Sequence, residues 1–416
     1  GSFENVKILY VGDPQVGASK GQPQGEGKLS ADSGAANTAA RNDGFAWDRT
    51  LDAALAQNPD LNFVISAGDQ VNKTGKPKEE EYAAYLSADA LKSLPVATTI
   101  GNHDSLNKDY SYHFNNPNPT DLGMTEAGGD YYYSYGPGLF IVLNTNNYNV
   151  AEHEQAIQKA VANFPDTKWR IVTIHQDIYG SGLDHSDTDG MILRTQLTPV
   201  FDKYDIDVVL QGHDHTYSRS KILYGDGKSH GSYEFRLDET GLDYDWDHAY
   251  NNNTGESITL NPLSSDTAAV EAKDAFTADN KCYTIESSGK SVVTNPKGTL
   301  YMTANSASGS KYYELINSQQ DYIEVRSQNW LPSYSVIDLT KDDFKIVGDT
   351  EFTYTNNGDV HNVKVQPVEG KGGTFGIDAV RYKEKVGAED ADNFIGAPAA
   401  AGTYGIYVST NSENGV

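Results

Sequence analysis

Over residues 1–220, short runs rich in Val, Ile and Leu alternate with longer stretches whose apolar residues recur every three and four positions. A period of two belongs to strands and a period near 3.6 to helices, so this alternation predicts an α/β architecture. The strand candidates are 6–11, 61–66, 96–100, 139–143, 170–174 and 207–210, and the helix candidates are 45–57, 79–94, 151–163 and 191–204. Further strands at 299–303, 334–339 and 344–347 are expected to return to the same core.

Three polar stretches, 14–43, 105–130 and 221–298, exceed ordinary connection lengths and are expected to form functional rims or lids. With 416 residues, the chain exceeds what a single compact core usually serves. A division near Thr350 separates a catalytic-sized domain, 1–350, from a small all-β module, 351–416, whose short apolar runs are 352–354, 363–365, 379–382 and 404–408. The ending at 398–408, PAAAGTYGIYV, resembles small Ig-like or β-grasp repeats of bacterial surface proteins.

What decides the chemistry is where the runs stop. Asp13 and Gln15 follow the first strand, and Asp69 follows the second inside Gly68-Asp69-Gln70. Asn102, His103 and Asp104 follow the third behind Gly101, His175 follows 170–174, and His213 and His215 follow 207–210 behind Gly212. In open α/β sheets the loops at the carboxyl ends of parallel strands share one crevice, so these carboxylates, amides and imidazoles are expected to meet. Oxygen and nitrogen donors in such a mixture suit Mn, Fe or Zn without choosing among them.

The order Asp-x-Gln, Gly-Asp, Gly-Asn-His-Asp, His, Gly-His-x-His resembles the five-block signature of the calcineurin-like metallophosphoesterase superfamily. The stretch HDHTYSR at 213–219 and the spacing from His175 to Tyr179 are similar to its purple acid phosphatase branch, although Tyr217 and Arg219 read equally well as structural. The resemblance implies an αββα sandwich of two mixed sheets and a pair of metal ions. Asp69 would bridge them, with Asp13, His215 and Gln15 on one and Asn102, His175 and His213 on the other. It further implies hydrolysis of phosphate monoesters by a metal-bridging hydroxide, with Asn102 and His103 on the substrate. His103 would be the general acid and Asp104 its orienting partner.

Two positions depart from the pattern. Gln15 stands where many members have His, which weakens one metal site, and Asn72 stands where purple acid phosphatases carry a tyrosine ligand, which removes the ferric-tyrosinate colour. The alternatives are a phosphodiesterase or nucleotidase on the same core, or a cell-surface binding protein with a degenerate metal site.

The formal charge of −26 argues against nucleic-acid backbones and anionic membranes as partners. It leaves a small phosphate ester, since exposed charge is screened beyond about 8 Å at physiological salt. No apolar run approaches the ~18 residues of a membrane span. The opening Gly1-Ser2 reads as the scar of a processed chain, and the C-terminal resemblance points to a secreted or cell-surface, bacterial-like protein.

Other signals carry less. Gly17-Ala18-Ser19-Lys20-Gly21 has the spacing of a nucleophile elbow but lacks the helix that must follow, and Gly289-Lys290-Ser291 lacks the leading glycine of a P-loop. Asp243, Asp245 and Asp247 are not an EF-hand, because His248 occupies its glycine position; an irregular extra Ca²⁺ site there stays open. The acidic, His-bearing stretch 184–189 follows His175, so contact with substrate stays open, although it reads rather as a solvated loop. Cys282 and the histidines 113, 153, 230, 248 and 361 receive no role.

Overall fold

The strand Val6–Val11 shows how the layers form: Val6, Ile8 and Tyr10 face one way and Leu9 and Val11 the other, and both sets are buried. Side chains alternate across a strand, so a strand buried on both faces must lie between two apolar layers. The computed structural model describes residues 3–19, 33–74, 76, 78–183, 185, 190–237, 245, 248–260, 266–289, 291–347, 352–355, 377–386, 389–390 and 404–410.

Two mixed sheets form the centre. The first runs, in spatial order, Val292–Thr294, Phe352–Thr355, Asp343–Val347, Ser335–Leu339, Val6–Val11, Phe63–Ser66 and Val96–Thr98. The second runs Tyr283–Ser287, Tyr217–Gly225, Thr299–Thr303, Val208–Gln211, Trp169–Thr173, Gly138–Val142 and Tyr131–Tyr135, with Ile323–Ser327 also pairing to Tyr217–Gly225. The even-numbered residues of Val6–Val11 pack with Phe63 and Ile65 against Phe140, Ile171, Val208, Leu210 and Met302, which makes the core between the sheets. On the outer face of the first sheet, Leu9, Val11 and Val64 meet Trp47, Leu51 and Ala54 of the helix Ser33–Gln57. On the outer face of the second, Ile141, Val172 and Val209 meet Ala156, Ile157, Leu197 and Phe201 of the helices Val150–Asn163 and Gly190–Lys203. The result is the expected αββα order.

Several expectations shift. Residues 79–94 form the helix Glu79–Leu86 followed by a separate short turn at Asp89–Lys92 rather than one helix. The stretch 221–298 is not a single insert: its first residues complete Tyr217–Gly225, and Tyr283–Ser287 and Val292–Thr294 rejoin the two sheets. Between them, three short strands, Tyr233–Glu234, His248–Asn251 and Ser257–Thr259, form a separate small sheet, and the helix Thr267–Asp279 follows. Phe352–Thr355, assigned from sequence to the C-terminal module, pairs antiparallel with Asp343–Val347 in the first sheet, so the chain leaves that sheet later than Thr350.

Contacts divide the chain into one unit at Gly1–Asp359 and another at Val360–Val416. The described part of the second is an antiparallel sheet of Glu389–Asp390, Ile377–Val386 and Tyr404–Thr410. Residues 363–365 lie outside the described residues. Among the described residues no helix is long and apolar enough to cross a membrane.

Candidate metal centre

Val6–Val11, Phe63–Ser66 and Val96–Thr98 run parallel, as do Trp169–Thr173 and Val208–Gln211, and the loops after all five meet at the seam between the sheets. Backbone bonds lock these loops together: Gln15 N donates to the Asp69 carbonyl at 2.7 Å, and Gly212 N to the His175 carbonyl at 3.0 Å. Asp13, Gln15, Asp69, His213 and His215 all hold positive φ, from 35° to 71°, a region that costs a non-glycine residue of order 1 kcal/mol or more. They are five of the nine such residues described, so backbone strain concentrates on the residues singled out from sequence. Ser306 and Ser310 help hold the first loop, bonding the carbonyls of Asp13 and Pro14 at 3.1 and 3.3 Å.

His175 is fully buried, and its Nδ1–H donates to the Ala67 carbonyl at 2.9 Å, which turns Nε2 into the crevice. Around Nε2 stand Asn102 Oδ1 at 2.9 Å, His213 Nδ1 at 3.1 Å and Asp69 Oδ2 at 3.5 Å. A single proton on that nitrogen serves one of these acceptors well, whereas a cation at their centre serves all of them. Ligand atoms of Asp69, His175 and His213 lie within 4.8 Å of one another.

The second group repeats the design. His215 Nδ1 donates to the Lys311 carbonyl at 2.8 Å, leaving Nε2 to face Asp13 Oδ1 at 3.5 Å. Asp13 Oδ2 accepts from His213 N at 2.9 Å, but Oδ1 is buried without a hydrogen-bond partner, and so is Gln15 Oε1. Buried oxygens left bare in this way are expensive unless a cation completes them. In both imidazoles the second nitrogen is spent on a backbone carbonyl, as metal-binding histidines are commonly oriented.

Electrostatics agree with this placement. Burial would pull the His175 imidazole down, but the Asp69 carboxylate overrides it and raises it to about 9. Burial likewise opposes ionisation of Asp69, yet His175 and His103 hold that carboxyl well below its usual range. Burial drives His215 down to about 3 against the opposing bond to Lys311, and burial with the neighbouring His175 keeps His213 well below its ordinary value. Burial pushes Asp13 up. His213 and His215 thus already hold the neutral form that takes a metal, whereas on His175 and Asp13 a cation would have to displace a proton.

His103 lies at the rim of this group with its side chain 21% exposed. Its backbone N donates to Asp69 Oδ1 at 2.9 Å, its Nδ1 bonds the Asn72 carbonyl, and its Nε2 stands 4.0 Å from Asp69 Oδ2. Asp104 does not orient that ring. It is fully buried on the opposite side, where Oδ2 accepts from Gly101 N at 3.0 Å and Gln70 Nε2 at 2.8 Å, and Oδ1 from Tyr82 at 3.3 Å. Asp104 follows His103 in a helical turn and so points elsewhere; it clamps the Asp69 loop to the Asn102 turn instead. Asn72, at the tyrosine position of the purple enzymes, contributes the carbonyl that fixes His103.

His185 belongs to the site although its stretch reads as solvated: its ring stacks on His213 with centroids 3.8 Å apart. Tyr313 packs edge-on to both His185 and His215, at 5.3 and 5.2 Å. Lys311 and Tyr313 carried no signal in sequence, since they follow a strand by eight or more residues in a Ser-Gly loop. Tyr179 is buried among Tyr283, Tyr301 and Tyr322. Asp245 pairs with His248 at 2.9 Å, while Asp243 and Asp247 lie outside the described residues.

A family model described as calcineurin-like phosphoesterase matches residues 6–217, the segment that supplies every one of these candidate ligands. The chain belongs to the calcineurin-like phosphoesterase family. Among curated relatives, an uncharacterized protein of Mycobacterium tuberculosis is 27% identical over 123 residues, 25% of this chain and 23% of its own length. The Fe(3+)-Zn(2+) purple acid phosphatase 12 of Arabidopsis thaliana is 35% identical over 91 residues, 22% of this chain and 17% of its own. The phosphoesterase chain thus aligns with under a quarter of the length of either relative. Among solved structures, purple acid phosphatase PPD1 of yellow lupin aligns at a TM-score of 0.45 and 12% identity over 85% of this chain and 54% of that one. A dimetal phosphatase of Danio rerio aligns at 0.38 and 10% over 84% and 99%.

Proposed function

We propose that this phosphoesterase hydrolyses small phosphate monoesters at two divalent metal ions seated among Asp13, Gln15, Asp69, Asn102, His175, His213 and His215. The observation that carries the reading is the crowding of acceptor atoms around His175 Nε2 beside the bare buried oxygens of Asp13 and Gln15. Asp69 beside His175 and His213 would hold one ion, and Asp13 beside His215 and Gln15 would hold the other. Bound metals would supply Lewis acidity and bring the pKa of a water from ~15.7 toward ~7.

The chain's own residues do the rest. Asn102, which bonds His175, and the His185 ring, which stacks on His213, would orient the phosphate. As the water oxygen forms its bond to phosphorus, the bond to the leaving oxygen breaks, and the Nε2–H of His103 delivers the proton that oxygen needs. The bond from Nδ1 to Asn72 keeps Nε2 turned toward the substrate. Net charge is no obstacle, because the local sum of two divalent ions against Asp13 and Asp69 is positive in a poorly screened crevice.

The test is turnover of aryl phosphate monoesters and diesters by metal-stripped protein reloaded with Mn, Fe or Zn, alongside Asp69→Asn. Restored monoester hydrolysis that Asp69→Asn abolishes supports the proposal. Preference for diesters would assign the same core to phosphodiester cleavage, and no turnover with any metal would leave a binding protein.

A further inference from the structure

Lys78 breaks two local rules at once. It is fully buried, which lysine almost never is, and it occupies the N-cap of the helix Glu79–Leu86, where its positive charge meets the positive end of the helix dipole. Its side chain makes no capping bond. Ser, Thr, Asp or Asn would stabilise that position by about 1 kcal/mol, so local stability does not account for the lysine.

The ammonium reaches instead into the site's supporting layer, where it donates to the backbone carbonyl of His103. That carbonyl belongs to the four-residue turn Asn102–Ser105, which is too short to satisfy its carbonyls internally. The acidic groups facing the ammonium are Asp104, Asp69, Asp109 and Glu81, which offset the burial that would otherwise lower its pKa further. From the same helical turn, Glu81 accepts from the backbone of Asn72 at 2.9 Å and of Lys73 at 2.8 Å. Asn72 in turn gives His103 Nδ1 its acceptor. The first turn of one helix therefore holds His103 at both ends, Lys78 directly by the main chain and Glu81 through Asn72, whose carbonyl meets the ring.

We propose that Lys78 and Glu81 are positioning residues that hold His103 for proton delivery to the leaving group. This rests on the reading of His103 as the proton donor. The consequence is specific: loosening His103 harms a substrate in proportion to how much its leaving oxygen needs a proton.

The experiment compares Lys78→Met, Lys78→Arg and Glu81→Gln, each alone and combined with His103→Ala, on p-nitrophenyl phosphate and on an alkyl phosphate, with metal content measured throughout. Lys78→Met should lower kcat/KM on the alkyl ester by at least about tenfold more than on the nitrophenyl ester. Lys78→Arg, which keeps a cation, should lose less, and the Lys78→Met effect should vanish once His103 is alanine, because non-additivity marks residues that act through one another. Equal losses on both esters, or an undiminished loss in the His103→Ala background, would overturn the inference and leave His103 in its role. If His103→Ala itself fails to discriminate between the esters, the underlying assignment falls with it. Should Lys78→Met not fold, Glu81→Gln carries the same comparison from the ring side.

Discussion

Replacing Gly101 with alanine removes no candidate ligand, yet the structure predicts that it empties the metal centre. A Cβ built on Gly101 lies 2.0 Å from Asp69 Oδ1 and 2.3 Å from Asp69 N. The backbone of Gly101, at φ −88°, accepts alanine, so nothing is lost to conformation and the whole effect is steric. Restoring an ordinary contact of about 3.5 Å requires Asp69 to retreat by roughly 1.5 Å, and half of the obstruction is main chain that cannot swing away. Overpacking of this kind costs about 1–3 kcal/mol of stability, and the rigid neighbour places Gly101→Ala near the upper end. A shift above 1 Å in the carboxylate that faces His175 and His213 should lower turnover on the order of a hundredfold. The assay is metal per chain by elemental analysis, thermal unfolding and phosphatase activity, with Gly231→Ala as control because a Cβ there meets nothing within 4 Å. Full metal content and wild-type activity in Gly101→Ala would refute the argument that Asp69 sits at the centre.

His153 is a buried cation: its two ring nitrogens face Asp130 Oδ2 at 2.8 Å and the Asn147 carbonyl at 2.7 Å, and although burial opposes charge, Asp130 raises its pKa above 6.5. A raised histidine stabilises the fold fully below its unfolded value and loses that contribution as pH rises through its folded value, so melting temperature should fall from near pH 6.5 upward. His153→Gln should erase that slope and destabilise by about 3 kcal/mol at pH 6, with metal content unchanged; an unaltered slope would contradict the pairing. Asp104→Asn should cost about 2–3 kcal/mol in unfolding experiments, because one acceptor oxygen becomes a donor facing Gly101 and Gln70. Turnover per folded molecule should stay within about threefold, whereas a hundredfold loss would restore Asp104 as a partner of His103. His185→Ala should raise KM for aryl phosphates about tenfold at constant metal content, and an unchanged KM would remove it from the substrate wall.

The central strands were legible because burial on both faces demands unbroken apolar sequence: Val6–Val11 and Thr299–Thr303 carry the expected bounds, and the others differ by one or two residues at an end. Tyr131–Tyr135 escaped notice because an edge strand of tyrosines and serine, YYYSY, shows no aliphatic run, although aromatic side chains suit strands. Tyr217–Gly225 was hidden for a different reason, since its start lies inside the HDHTYSR motif and its residues mix Arg, Ser and Lys with Ile and Leu. The seven candidate residues from Asp13 to His215 were readable as one cluster because each lies just behind a strand, where spacing fixes position. His185, Lys311, Tyr313 and Lys78 were not, because each reaches the site through loops and a helix end whose path depends on tertiary packing. Asp104 shows the same limit in reverse: adjacency to His103 in sequence suggested partnership, but neighbours in a helical turn do not face each other.

The most direct measurement is a crystal soaked in Mn²⁺ and examined by anomalous diffraction. Two peaks are expected about 3.5–4 Å apart, one on each side of the Asp69 carboxylate, if the centre holds a metal pair. A single peak among Asp69, His175 and His213, or none, would contradict it.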